Sequence, residues 1–180
     1  MLKKVIIFIF CYLNLVSNVF AEAGREKEIN DSIKKLENRE EQIRIDAANS
    51  LGFLEDKRAV SYLINVLEDN NLEVKKAAIL ALGNLGDKTA IPHLKKFLQD
   101  PSLSWSAAYS LGMLGDEGAL DALTSYLKDK NITKRKFTVY AISGITSVSA
   151  IKILNSTMLI ENSREVKEEI EKILNKSNIK

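Results

Sequence analysis

The chain is short of the residues from which most catalytic centres are built. Its 180 residues include one cysteine, Cys11, and one histidine, His93. A single cysteine excludes a disulfide framework, a zinc finger and a Cys-x-x-Cys redox motif. A single histidine excludes any metal site made from two or more imidazoles. Two prolines, eight glycines and 7% aromatics exclude collagen-like, low-complexity and turn-rich all-β classes. No Ser-His-Asp or Gly-x-Ser-x-Gly arrangement and no phosphate-cradling glycine loop occurs. An excess of one charge is missing as well. Of 26 basic residues, Lys3 and Lys4 fall in the first 21 positions, which hold no acid, so the remainder carries 24 basic against 24 acidic residues. A neutral chain lacks the footprint of a nucleic-acid binder. Apolar residues, in contrast, make up 46% of the chain, enough to bury a core and to exclude intrinsic disorder.

Residues 1–21 read as a signal peptide: Met1-Leu2-Lys3-Lys4, an apolar run from Val5 to Val16, then Ser17-Asn18-Val19-Phe20-Ala21. Val19 and Ala21 place small residues where a signal peptidase requires them. The alternative, a retained anchor, meets an apolar run of only 12 residues, interrupted by Asn14, where a spanning helix needs about 20. Phe10 is too bulky to precede a lipoprotein cysteine at Cys11. Cleavage leaves residues 22–180 as one domain with no cysteine and no membrane span, suited to an oxidising compartment. The expectation is an exported bacterial protein, periplasmic or secreted.

The remaining chain repeats itself. Ala47-Ala48-Asn49-Ser50-Leu51-Gly52, Ala78-Ile79-Leu80-Ala81-Leu82-Gly83, Ala107-Ala108-Tyr109-Ser110-Leu111-Gly112 and Thr138-Val139-Tyr140-Ala141-Ile142-Ser143 align, with steps of 31, 29 and 31 residues between their last positions. Ala59-Val60, Ala90-Ile91, Ala119-Leu120 and Ala150-Ile151 recur with the same steps. Two markers in phase across four copies establish a repeat array. Each copy carries two helical patterns, as in Val74, Ala77, Ala78, Ala81, Leu82 and Leu85 followed by Ala90, Ile91, Leu94, Phe97 and Leu98. Gly86-Asp87 between them supplies a left-handed helix end and the next cap. Gly115-Asp116 repeats the device, whereas Glu55-Asp56 and Thr146-Ser147 lack the glycine. Asp100-Pro101 reads as a cap with proline at the first helical position. Ile29, Ile33 and Leu36 match second-helix positions, so 26–37 reads as a lone capping helix. The charged 163–175 reads as a closing first-type helix. With four helix pairs over about 41–160, the expected fold is all-α: a right-handed α-α superhelix of about ten helices.

The pattern Val-x-x-x-Ala-Ala-x-Ala-Leu-Gly-x-Leu-Gly-Asp-x-x-Ala-Ile-x-x-Leu, clearest from Val74 to Leu98, resembles the short HEAT-like repeat named after phycobilisome (bilin) lyases. The same repeat is used in consensus-designed α-repeat binding proteins. Such arrays include scaffolds, bilin lyases, iron hydroxylases and DNA-repair enzymes. The hydroxylases use several His-Glu pairs, and here the only histidine is followed by Leu94. The repair enzymes require a basic surface that this neutral chain lacks.

In the designed relatives the first helix of each copy lines the binding face, at positions seven and three before the glycine and one after it. The resemblance therefore implies Ile45, Asn49 and Phe53; Lys76, Leu80 and Asn84; Trp105, Tyr109 and Met113; and Lys136, Tyr140 and Gly144. The chain's only tryptophan falls in this set, and tryptophan and tyrosine dominate interface hot spots. His93 reads as a surface residue. Lys128, Lys130, Lys134, Arg135 and Lys136 read as solvated turn and helix-start charge. The expected role is a non-catalytic adaptor for a protein or peptide partner, with no cofactor, metal or nucleic acid. The alternative is an enzyme or tetrapyrrole-handling lyase using the same groove.

Overall fold

A computed structural model describes Val19 and residues 21–177. The leader's basic start and apolar run, residues 1–18, and Phe20 lie outside the described residues. The described chain is helical throughout, with ten helices and no strand. Helix α1 covers 21–35. Four pairs follow: α2 (Glu41–Leu54) with α3 (Val60–Val66), α4 (Leu72–Leu85) with α5 (Ile91–Lys95), α6 (Ser104–Met113) with α7 (Leu120–Tyr126), and α8 (Ile132–Ser143) with α9 (Val148–Ile160). Helix α10 (Arg164–Ser177) closes the array. First-type helices α2, α4, α6, α8 and α10 stack in chain order, each against the next, with the second-type helices forming the other layer of the α-solenoid.

Small side chains set the spacing of the first layer. A Cβ on Gly52 would sit 2.9 Å from the Ala81 Cα, and one on Gly83 would sit 2.9 Å from the Ser110 Cα. One on Gly112 would reach 2.7 Å from the Ala141 carbonyl oxygen. The repeated glycine thus exists to admit the next helix, which presents alanine or serine at that point. Ser110 is fully buried, and its hydroxyl donates to the Ile79 carbonyl at 2.8 Å, so this polar side chain also bridges two helices. Leu51, Leu82, Leu111 and Ile142 fill the space between the layers, with Leu63, Leu94, Leu123 and Leu154 opposite them.

The turns inside each pair work as the pattern implies. Gly86 and Gly115 take φ of 67° and 76°, and Glu55, lacking the glycine, is forced to φ 53°. Asp56, Asp87 and Asp116 then accept from the backbone N–H two residues on. They cap short 3-10 turns (Lys57–Ala59, Lys88–Ala90, Glu117–Ala119) that lead into α3, α5 and α7. Ser147 caps α9 directly, and α9 is the longest second-type helix of the four pairs, with 13 residues.

Three boundaries differ from expectation. The capping helix already includes residue 21, ahead of the expected start at 26, and ends at 35, where Leu36 and Glu37 form a turn. Glu22, Ala23, Arg25 and Glu26 are good helix formers that extend it backwards. The closing helix runs Arg164–Ser177 rather than 163–175. Asp100 caps as expected, accepting from Ser102 and Leu103, but Pro101 sits in a turn and regular helix starts only at Ser104, because Leu103 departs to φ −112°.

Arginine staples secure the first and fourth copies. Arg44 pairs through both Nε and Nη2 with Asp69 (2.7 and 2.9 Å) and donates to the Asn38 carbonyl at 2.8 Å. Arg135, at the same repeat position, grips Glu161 (2.9 and 2.8 Å) and donates to the Asp129 carbonyl at 2.8 Å. Each guanidinium ties the loop entering its helix to the loop leaving the pair. Its hydrogen bonds hold Asp69 and Glu161 below the usual carboxylate range against the opposing effect of burial.

Candidate functional site

The first-type helices form a trough with two basins, the first of which is also lined by Tyr126 at the end of α7. The first, about 700 Å³, is lined on α2 and α4 by Ile45, Asn49, Lys76 and Leu80, and on α6 by Trp105. The second, about 350 Å³, lies between Tyr109 on α6 and Lys136, Phe137 and Tyr140 on α8, with Glu169 of α10 at its edge. Trp105 and Tyr109, one turn apart on α6, stack with centroids 5.5 Å apart and form the divide. Phe137 meets Tyr109 edge-on at 6.0 Å, so the aromatic run crosses from α6 to α8.

Cations border this run without dominating it. The Lys134 ammonium lies 4.7 Å from the Tyr126 ring centroid and 5.8 Å from that of Trp105, while pairing with Asp129 at 2.9 Å. Lys76 pairs with Glu73 at 2.7 Å and Lys136 with Glu165 at 3.4 Å. The five-residue basic cluster is thereby dispersed: Lys134, Arg135 and Lys136 each face a carboxylate. Burial pushes the Tyr109 phenol above its ordinary value, and Tyr140 adds to the shift. The Trp105 Nε1–H is buried and has no acceptor in the protein, an arrangement that costs about 1–3 kcal/mol.

Of the residues expected on this face, Ile45, Asn49, Lys76, Leu80, Trp105, Tyr109, Lys136 and Tyr140 line the two basins. Phe53, Asn84, Met113 and Gly144 do not. Eight residues on a helix are 2.2 turns, so the position after the glycine is rotated about 80° from the one seven before it and has left the trough. Phe53, Asn84 and Gly144 are exposed there, and Met113 is half-buried. The trough instead continues one turn toward the helix starts, taking in Gln42, Glu73, Ser102 and Thr133. Phe137 was missed because it stands six residues before Ser143, where the other copies carry Asp46, Ala77 and Ser106. Extending the same helical face by one residue would have found it. His93 is half-buried on α5, away from both basins. Among the described residues no cluster of three or more His, Cys, Asp and Glu is placed to hold a metal, and no helix is long and apolar enough to cross a membrane.

Comparison with known families decides the lineage. A model described as HEAT repeats matches residues 29–105, and one described as PBS lyase HEAT-like repeat matches 105–129. Across residues 29–129 the chain is a HEAT-type repeat array. Among solved structures, this HEAT-repeat chain is similar to one in the complex of CpcE and CpcF of phycocyanin lyase from Nostoc sp. The identity is 26% and the TM-score 0.58, with 79% of this chain and 61% of that chain covered. It therefore spans about three-fifths of the lyase chain's length. An engineered protein (21% identity, TM-score 0.57, 81% and 77% covered) shares the fold. So does a designed armadillo repeat protein in complex with the peptide (KR)4 (21% identity, TM-score 0.56, 80% and 79% covered). No curated protein matches.

Proposed function

We propose that this HEAT-repeat protein is an exported, non-catalytic adaptor that holds an extended polypeptide segment along the trough of its first-type helices. The observation that carries the reading is the aromatic run Trp105–Tyr109–Phe137, with Tyr140 beside it, on a face whose charges already pair with one another. Large half-exposed aromatics mark partner sites, because covering them removes much apolar area at little cost in side-chain entropy. Stacked helices lie about 9 Å apart, so α2 to α8 spans about 27 Å, the length of about eight extended residues. The designed armadillo repeat protein in complex with the peptide (KR)4 supports the reading as a case of a similar fold that binds a peptide.

The partner best suited to this trough is an apolar, aromatic-tolerant segment, because Lys76 and Lys136 are each matched by a glutamate. A second reading, a linear tetrapyrrole in the same trough, draws on the likeness to the phycocyanin lyase chain. Two variants, Trp105→Ala and Phe137→Ala, test the first reading by affinity capture from the cell envelope. Truncating a central aromatic anchor costs about 2 kcal/mol or more, roughly a 30-fold loss of affinity. Partner recovery unchanged in both variants, with helicity intact, would remove the trough as the docking site. Quenching of Trp105 fluorescence by a tetrapyrrole but by no captured polypeptide would decide for the second reading.

A further inference from the structure

The chemistry of the trough narrows the kind of segment it holds, an inference that rests on the docking reading above. The trough's walls are α-helices, whose backbone groups bond within each helix, so they offer no ladder to a partner's main chain. Side chains must meet that main chain instead. Among the described residues, the Asn49 amide and the hydroxyls of Ser106, Tyr109, Thr133 and Tyr140 belong to basin-lining residues and have no hydrogen bond to the protein. Ser106 is the most telling of these, because it is only 5% exposed. The carboxylates on the rim are already engaged by ammonium groups: Glu73 holds Lys76, Glu165 holds Lys136 and Glu169 lies beside Lys172. The free groups are thus suited to a partner's carbonyls more than to its N–H groups.

That balance disfavours a β-strand laid across the helices. Such a strand would turn N–H groups toward the trough at regular intervals, and each one left unbonded weakens binding. Proline removes the donor and fixes φ near −65°, the value of a polyproline II helix, which keeps no internal hydrogen bonds and leaves its carbonyls free. The dimensions agree as well. Three residues of polyproline II rise about 9.3 Å, and packed helices lie about 8–10 Å apart. Residues three apart therefore meet successive grooves, the first basin beside α4 and α6 and the second between α6 and α8. The aromatic faces of Tyr109, Phe137 and Tyr140 complete the fit, since preformed proline-rich segments dock in aromatic-lined grooves at low entropic cost. We propose that the partner segment is proline-rich, a polyproline II helix of about nine residues that crosses α2 to α8 with prolines three apart in the two basins.

Selection from a displayed library of random nonapeptides tests this without knowledge of the natural partner. The expected result is enrichment of Pro-x-x-Pro among the bound sequences. A labelled nonapeptide with proline at its first, fourth and seventh positions and alanine elsewhere should bind, by fluorescence anisotropy, several-fold more tightly than one with proline at its first, third and fifth. Tyr109→Phe and Tyr140→Phe keep the rings and remove the hydroxyls, and each should weaken the first peptide about fivefold, the worth of one hydrogen bond. Equal affinity for the two spacings, or for the parent and both phenylalanine variants, overturns the proposal. Binders without proline overturn it too; if Trp105→Ala and Phe137→Ala abolish their binding, docking in the trough itself stands. Binders indifferent to those two variants, or a library that yields none, overturn the proposal and the trough reading together.

Discussion

The same substitution at two helical glycines should change stability in opposite directions. Alanine normally improves a helix interior relative to glycine by about 0.5–1 kcal/mol, through backbone entropy. At Gly112 the new methyl would lie 2.7 Å from the Ala141 carbonyl oxygen, 2.9 Å from its Cβ and 3.0 Å from its carbonyl carbon. None of these atoms belongs to a flexible side chain, so α6 and α8 must separate along a surface that is fully buried around Val139, Ala141 and Ile142. Overpacking of this kind costs about 1–3 kcal/mol, and subtracting the helix gain leaves a net loss of about 1–2 kcal/mol. For a domain of this size each kcal/mol moves the melting temperature by about 2–4 °C, so Gly112→Ala should melt about 2–8 °C lower. Gly24, on exposed α1, has nothing within 4 Å of an added Cβ. Gly24→Ala should therefore melt at or slightly above the parent, by up to about 3 °C. Far-ultraviolet circular dichroism of both variants checks the pair. A Gly112→Ala protein that melts at or above the parent would refute glycine-mediated helix approach as the basis of the stacking.

Removing the guanidinium in Arg135→Met leaves the Glu161 carboxylate, 5% exposed, without its charge partner. Breaking a buried pair from one side costs about 3–5 kcal/mol. The lower value is expected here, because the backbone N–H groups of Asn162 and Ser163 still donate to Glu161. Chemical denaturation measures the loss, and adding Glu161→Leu should recover most of it. Acid should act on the same staples. The folded-state pKa of Asp69 and of Glu161 is lowered, first by the arginine hydrogen bond, so their contribution is present above the ordinary carboxylate range and disappears as pH falls through the depressed values. The melting temperature should be flat near neutrality and fall below about pH 4. A melting temperature that stays level to pH 2 would show that the staples contribute nothing.

The helical pairing was legible because its determinants are local and repeated. Ala-Ala and Leu-Gly recur at fixed steps, and Gly-Asp marks a helix end and a cap wherever it appears. The 3-10 turns before α3, α5 and α7 were not legible, since Asp-x-x-Ala suits either helix type and the choice is made by how sharply the chain must reverse. The trough was half legible. Positions seven and three before the glycine fall within it because they share a face, but a line drawn through eight residues rotates away, which is why Phe53 and Met113 left and Phe137 entered. The Arg44–Asp69 and Arg135–Glu161 staples span 25 and 26 residues. No local pattern reveals that an arginine early in one helix meets a carboxylate after the next.

The placement of the two arginine staples bears on how the array comes apart. A linear stack of near-identical units is held by its neighbours, and those at its tips, with support weighted to one side, are the natural points from which it would unzip. Copies one and four have the guanidinium clamp, while the corresponding positions in the interior are Lys75 and Ser104. The first and fourth copies thus gain ion-pair contacts that the second and third lack at those positions, which works against fraying from either side of the array.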